Sequence, residues 1–234
     1  MLRIALFLGT NIAILAVLSL TMSLFGIDGV LQDNGVDLDL KSLLFISAII
    51  GFTGSFISLL ISKWIAKRSM GVELINDAKN ETERWLLNTL EKISLKSGIK
   101  TPEFGIFNSQ QPNAFATGAS KNNSLVALST GLINHMNRDE IEAVIAHEVA
   151  HIKNGDMVTM TLIQGIINTF VIFFSRVIGH VVDRVIFKVQ RGHGPAYYIT
   201  SIIAQILLSI LASIIVMWFS RKREYAADLY ASKL

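Results

Sequence analysis

The sequence predicts an α+β protein in which a helical domain with a small sheet is combined with four apolar helices. Three observations lead to this fold class. Four long stretches lack charged residues, an amphipathic pattern with helical spacing follows the second stretch, and short runs of strand-forming residues lie between Lys100 and Ser129. The 51% share of hydrophobic residues is also high for a soluble domain of 234 residues.

The first two apolar stretches predict a transmembrane hairpin within residues 1–65. Residues 4–25 contain no charge, residues 43–61 follow soon after, and about 20 residues are enough to cross a hydrocarbon core of roughly 30 Å. A cleaved signal peptide is the alternative for the first stretch. Its apolar core would be unusually long, however, and no small-x-small cleavage site follows cleanly. We therefore expect both segments to be membrane anchors.

The charges that flank this hairpin predict its orientation. Residues 26–40 contain aspartates and no Lys or Arg, whereas basic residues follow the second stretch, at Lys63, Lys67, Arg68, Lys79 and Arg84. Cytoplasmic flanks of membrane helices are enriched in Lys and Arg. We therefore expect a multi-pass protein of the cell's inner (plasma) membrane, with the region from Lys63 onward in the cytoplasm.

Residues 157–174 and 196–220 are also apolar and predict a second hydrophobic hairpin over 157–220. The loop that connects them conflicts with the charge rule, because it contains Arg176, Arg184, Lys188 and Arg191. Two explanations stay open: the hairpin enters the bilayer only partly, or the first pair fixes the orientation. A third interpretation makes these stretches buried helices of a soluble core, since polar residues interrupt the first of them.

Residues 66–156 predict a small cytoplasmic core. Residues 70–97 have apolar side chains at helical spacing among charged ones, which predicts an amphipathic helix that packs on a later helix. Runs near Phe104–Phe107 and Ser124–Ser129 predict short strands.

The motif His147-Glu148-Val149-Ala150-His151 is the most informative feature of the chain. A helix from Asn137 to His151 is predicted, because Asn137 can cap it and Glu140 stands where a capping box requires it. Histidines four residues apart lie on one helix face, and Glu148 would lie close enough to a water at a metal ion to accept its proton. This pattern is typical of zinc-dependent peptide hydrolysis, although an isolated match also fits a surface helix whose histidines are merely polar.

A catalytic zinc usually takes three protein ligands, and no histidine follows His151 at short spacing. The remaining histidines have unsuitable sequence contexts: His135, His180 and His193. Glu224 is the favoured carboxylate, because Asp228 one helical turn later could accept a hydrogen bond from the free nitrogen of a ligand histidine. Alone, such a pair is more often a solvated helix face. Together with HExxH it predicts a site for one Zn²⁺ per chain.

The segment Asn113–Gly118 lies between the two predicted strands. The edge of a strand beside a metal site can accept an extended peptide as an additional strand. By itself, the segment would be interpreted as an ordinary strand and turn.

Taken together, these stretches resemble the HtpX family of heat-shock-induced membrane zinc endopeptidases, gluzincins related to the CAAX prenyl endopeptidases. The matching stretches cover much of the non-membrane chain: Pro112–Gly118, Leu125–Leu132, His147–Met157 and Arg223–Asp228. The resemblance implies that His147, His151 and Glu224 bind zinc. It also implies that Glu148 is the general base and that Asp228 orients His147.

The resemblance further implies a substrate class and a substrate cleft. The substrates would be misfolded or damaged membrane and membrane-associated proteins, cut on the cytoplasmic side as quality control. The cleft would be bordered by Asn113, Ala114, Phe115 and Ala116, with Asn113 helping to hold the substrate backbone. Family members usually continue for some tens of residues past the ExxxD motif, so we expect residues 221–234 to be a truncated helix that carries the third ligand.

Other functions fit the sequence less well. A transporter or channel predicts ionisable residues inside the apolar segments, and the four predicted segments lack them. A non-catalytic, metal-stabilised membrane scaffold that binds client proteins is the main alternative. The net charge of +3 does not indicate nucleic acid, because the basic residues lie mainly where apolar segments end, so the lipid bilayer is the expected partner. The absence of cysteine excludes disulfides and thiolate zinc ligands.

Overall fold

The computed structural model describes residues 38–190 and 192–232, which fall into two compact units. The first unit holds the described residues up to Ser55 together with Leu162–Met217, and the second holds Phe56–Thr161 and the described residues from Trp218 on. The α+β class is confirmed. In chain order the elements are α1 (Leu40–Ser69), β1 (Glu73–Leu74), α2 (Glu81–Ser97), β2 (Glu103–Phe107), β3 (Ala114–Ser120), β4 (Asn123–Ser129), α3 (Thr130–His135), α4 (Arg138–Asn154), α5 (Asp156–Val181), a π-helical turn (Val182–Ile186) and α6 (Pro195–Ala231).

A four-stranded mixed sheet with the order β1-β2-β4-β3 forms the centre of the second unit. Strands β2 and β4 are parallel, and each outer strand is antiparallel to its neighbour. Four consecutive residues of β4, Leu125–Leu128, are fully buried, which is the pattern of a strand covered on both faces. Both predicted strands are confirmed, and β3 is an edge strand among the residues that the structure describes.

Helices α2 and α4 cover one face of this sheet. Their buried side chains share one core with residues of β2 and β4: Leu86, Leu90, Ile93, Phe104, Val126, Leu128, Ile141, Ile145 and Val149. The predicted packing of an amphipathic helix on the HExxH helix is therefore confirmed. The helix begins later than predicted, because Asn80 caps it by accepting a hydrogen bond from the backbone N–H of Glu83, while Glu73 and Leu74 pair with β2 instead.

The C-terminal half of α1 is fastened to the other face of the sheet. Lys63 Nζ lies 2.7 Å from Oε1 of Glu103 on β2, and Lys67 Nζ lies 2.6 Å from Oε2 of the same carboxylate. Lys63 also donates to the side chain of Asn123 at 2.7 Å. Burial alone would raise the pKa of Glu103, but the hydrogen bonds from the two lysines outweigh it and lower that pKa. Glu103 is therefore ionised at neutral pH and holds α1 in place.

Three of the described helices are long and apolar enough to cross a membrane: α1, Asp156–Ile186 and α6. The sequence predicted four such helices, and the first of them, residues 4–25, lies outside the described residues. The other three predicted stretches fall within observed helices that extend beyond them. In particular, α6 continues without a break to Ala231. Glu224 therefore lies near the end of an apolar helix and not on the separate helix predicted from residue 221.

Within the first unit, α1 and α5 approach each other closely at Gly51. A Cβ atom at this position would lie 2.7 Å from the backbone nitrogen of Thr169, so a larger residue does not fit. Nearby, Asn168 donates to the Ser55 hydroxyl at 3.3 Å and accepts from Gln164 at 2.8 Å. The polar residues of the third apolar stretch thus join two helices, as small and polar residues do between membrane helices.

The loop between α5 and α6 is held by its own charged residues. Asp183, which is buried, accepts a hydrogen bond from the backbone N–H of Gly194 at 2.9 Å. Arg184 donates to the carbonyls of Val189 and Gly192. Arg184, one of the basic residues that conflicted with the charge rule, is thus hydrogen-bonded within the loop.

Candidate metal centre

Helix α4 presents both histidines of the HExxH motif on one face. The predicted capping box fixes the start of the helix, because the Asn137 side chain accepts from the backbone N–H of Glu140 and the Glu140 carboxylate accepts from that of Asn137. One helical turn apart, the rings of His147 and His151 have centroids separated by 4.7 Å and Nε2 atoms separated by 3.1 Å. Two imidazole nitrogens therefore face the same point.

Glu224 reaches this point from α6. Its Oε2 lies 3.3 Å from Nε2 of His147 and 3.3 Å from Nε2 of His151. Its other oxygen, Oε1, lies 3.7 Å from the guanidinium of Arg223. The structure thus brings together three residues that the sequence separates by two apolar helices, with one carboxylate oxygen directed at both rings.

This donor set fits zinc in its chemistry and in its spacing. Two imidazoles and one carboxylate are a ligand set of catalytic zinc sites, in which a fourth position stays open. Bonds of about 2.0–2.1 Å in a tetrahedral arrangement place neighbouring donor atoms roughly 3.3 Å apart. The three separations here are 3.1, 3.3 and 3.3 Å. The side chains are therefore already arranged for a cation of this size.

Each histidine also has a carboxylate next to its other ring nitrogen. Nδ1 of His147 lies 2.9 Å from Oδ1 of Asp228, and Nδ1 of His151 lies 2.7 Å from Oδ2 of Asp156. Such a carboxylate keeps a proton on Nδ1 and leaves the Nε2 lone pair for a metal. Asp228 lies beside His147, where the resemblance implied it, whereas no role for Asp156 was predicted from the sequence.

The end of α4 brings Asp156 back to His151. Gly155 has a φ of 71° and closes the helix with hydrogen bonds from its N–H to the carbonyls of His151 and Ile152. The next residue, Asp156, begins α5 with its side chain directed at the last turn of α4. The Gly-Asp pair that follows the motif is the only sequence feature that could have indicated this position of Asp156, and it does not show which way the chain turns.

The pKa of His151 is raised above its ordinary value. Burial alone would lower it, but the hydrogen bond to Asp156 and the negative charges of Glu224 and Glu148 outweigh burial. A metal that binds Nε2 must displace any proton there.

We expect Asp156→Asn to weaken metal binding by about 10- to 100-fold, the usual effect of losing a carboxylate behind a ligand histidine. The Asp156 side chain is 10% exposed and that of Asp228 is 67% exposed, so Asp228→Asn should have the smaller effect. Competition with a chromophoric chelator measures both affinities. An Asp228→Asn variant that is impaired as much as Asp156→Asn, or more, would contradict this ranking.

Glu148 is buried beside the first histidine, with 9% of its surface exposed. Burial raises the pKa of its carboxyl group, the charges of His151 and His147 oppose this, Glu224 adds to it, and the net shift is upward. The backbone N–H of Ala116 on β3 donates a hydrogen bond to the carboxylate. The buried carboxylate of Glu148 thus lies close to both histidines and is hydrogen-bonded to the edge strand.

The predicted cleft residues lie at the start of β3. The backbone of Asn113 exchanges two hydrogen bonds of 2.9 Å with Ser129, while its side chain is exposed. Ala114 and Ala116 pack towards the core shared with α4, and Phe115 points to the opposite face, where its ring lies 5.5 Å from that of Phe107. Of these four residues, Ala116 contacts the candidate site directly.

The other histidines do not join this group. Nδ1 of His135 lies 2.7 Å from the carbonyl oxygen of Gly131, and the rings of His180 and His193 lie 5.0 Å apart in the first unit. In the described part of the chain, only His147, His151 and Glu224 bring three such donor atoms this close together.

Residues 80–234 match peptidase family M48. Protease HtpX of Pseudoalteromonas atlantica is 64% identical over 228 residues, which cover 97% of this chain and 79% of that protein. Protease HtpX of Thioalkalivibrio sulfidiphilus is 59% identical over 232 residues, which cover 99% of this chain and 79% of that protein.

Among solved structures, the crystal structure of Ste24p from S. mikatae is similar, with a TM-score of 0.61 over 94% of this chain. The match spans 56% of that protein at 20% sequence identity, so this likeness concerns the fold alone.

Proposed function

This chain belongs to peptidase family M48, among the proteases called HtpX, and is thus a membrane metalloprotease by family. We propose that it is a zinc-dependent endopeptidase. It cuts misfolded or damaged membrane and membrane-associated proteins at the cytoplasmic face of the inner membrane. The main support for this proposal is the convergence of His147, His151 and Glu224, whose donor atoms lie 3.1–3.3 Å apart.

Zinc held by these three residues would polarise a substrate carbonyl and lower the pKa of a water towards neutrality. Asp228 and Asp156 keep the two imidazoles in the orientation and tautomer that binding requires. Glu148 accepts the proton of the attacking water and passes it to the leaving amine. Because Glu148 is buried and adjacent to His147, the proton is exchanged where little bulk water competes.

The edge of β3 is the proposed position of the substrate backbone. The N–H of Ala116 bonds to Glu148, so the backbone at Ala116 presents polar groups on the side away from β4. An extended peptide added along this edge would carry a peptide bond past Glu148. The exposed side-chain amide of Asn113 would then help to hold the substrate backbone.

Charge distribution supports a cytoplasmic active site. The last turn of α1 contains Lys67 and Arg68, and this end of the helix belongs to the same unit as the metal-binding side chains. The same unit contains the start of α5 and the end of α6. An even number of crossings between these two points is therefore consistent with one site on one side of the membrane.

Cleavage of an unfolded protein by the detergent-solubilised chain tests this function. We expect fragments from the zinc-loaded protein, loss of cleavage on treatment with a chelator, and recovery when zinc is added back. Cleavage that persists in the chelator would contradict a metal-dependent mechanism. Binding of the unfolded protein without any fragments, even with zinc, would favour the non-catalytic scaffold.

A further inference from the structure

We propose that the groove between β3 and the C-terminal half of α1 is a specificity subsite that accepts a bulky apolar side chain of the polypeptide substrate. This inference rests on the proposed peptidase function and adds which substrate side chains the enzyme selects.

The groove has a volume of about 400 Å³, within the range of about 300–1,000 Å³ that is typical of ligand pockets. Phe115 and Thr117 of β3 form one wall, and both are only partly buried. The opposite wall consists of small α1 residues one helical turn apart, namely Ser58, Ser62 and Ala66, followed by Ser69. The space exists because these α1 side chains are small.

The ion pairs of α1 link the two walls of the groove through β2 and β4. Lys63 and Lys67 both bond to Glu103 of β2, and Lys63 also bonds to Asn123 at the start of β4. Strand β3 pairs with β4 over most of its length. The α1 wall and the β3 wall therefore belong to one connected structure within the second unit.

The edge of β3 connects the groove to the catalytic residues. Side chains alternate between the two faces of a strand, so Phe115 and Thr117 face α1 while Ala116, which bonds to Glu148, faces α4. Side chains of an added strand would alternate in the same way. When a substrate residue lies opposite Ala116, its neighbours in the chain direct their side chains into the groove.

The lining of the groove determines which side chains it accepts. Phe115 contributes an aromatic ring, and Ile65 and Met70 add further apolar surface. None of the lining residues is charged, and the nearby lysines Lys63 and Lys67 are engaged by Glu103. A substrate side chain such as Leu, Phe or Met would gain from burial here, whereas a charged one would lose its hydration without a partner.

A set of peptides tests the subsite. The peptides share one cleavable sequence and carry either Leu or Gly at the positions that flank the cut bond. At the positions whose side chains point to α1, a peptide with Leu should be cleaved by the zinc-loaded protein in detergent with a higher kcat/KM than a peptide with Gly. In Ala66→Phe, which fills the groove, this Leu-to-Gly ratio should fall by at least about tenfold, while cleavage of the Gly peptide continues.

Ile61→Phe is the matched control. It adds bulk to the same helix at an exposed position outside the groove and should keep the wild-type ratio. If Ala66→Phe keeps the ratio, the subsite proposal is overturned. It is also overturned if Ala66→Phe slows the cleavage of all peptides equally, which is the result expected if the groove holds a lipid chain instead of a substrate side chain. Failure of the wild-type protein to cleave any peptide would instead count against the proposed function.

Discussion

Replacement of Glu148 by alanine is expected to stop proteolysis while zinc stays bound. The Glu148 carboxylate is not one of the three groups whose donor atoms converge, so its loss leaves the ligand set intact. It is, however, the buried carboxylate next to the histidines, and losing a general base usually costs about 10²- to 10⁴-fold in rate. Measurements of kcat/KM on an unfolded protein substrate and of zinc content by atomic emission check both parts.

Glu142→Ala is the matched control for this experiment. Glu142 lies on the same helix, but its side chain is 40% exposed and pairs with Lys92 at 3.3 Å, and it is not among the metal-binding side chains. The control should retain both zinc and activity. Undiminished proteolysis in Glu148→Ala, or loss of its zinc, would contradict the role proposed for Glu148.

Replacement of Glu224 by alanine is expected to abolish both zinc binding and proteolysis. Its Oε2 is the one oxygen that lies 3.3 Å from both imidazole nitrogens, so the variant keeps two ligands of three. Loss of a group behind a ligand already costs about 10- to 100-fold in metal affinity. Loss of the ligand itself should therefore exceed about 100-fold, which equilibrium competition with a chelator measures.

Tyr225→Ala controls for the effect of a substitution on this part of α6. Tyr225 is the next residue, and it is 74% exposed, so its truncation should leave zinc affinity unchanged. If Glu224→Ala binds one equivalent of zinc as tightly as the wild type, the third ligand has been assigned wrongly.

The HExxH helix could be predicted from the sequence because its determinants are local. The capping box at Asn137 and Glu140 and the spacing of His147 and His151 all act within a few residues, and the structure contains each of them. The same holds for β2 and β4, whose apolar runs identify them as buried strands. The start of α2 was predicted too early, since the pairing of β1 with β2 depends on contacts far along the chain.

The surroundings of the site could be predicted only in part. Glu224 was inferred from ligand chemistry and resemblance, but its distance from the histidines depends on the path of two long helices. Asp156 was missed because the turn at Gly155, and not its position in the sequence, directs it at His151. The groove beside Phe115 could not be predicted from the sequence either. It depends on which face of α1 lies against the sheet, and the bonds to Glu103 determine that face.

Anomalous diffraction at the zinc edge from zinc-loaded crystals shows whether one zinc ion is held by His147, His151 and Glu224. We expect a single peak at about 2.0–2.2 Å from Nε2 of both histidines and from a carboxylate oxygen of Glu224. A peak bonded instead to Asp156 or Asp228, or a peak distant from Glu224, would contradict this assignment.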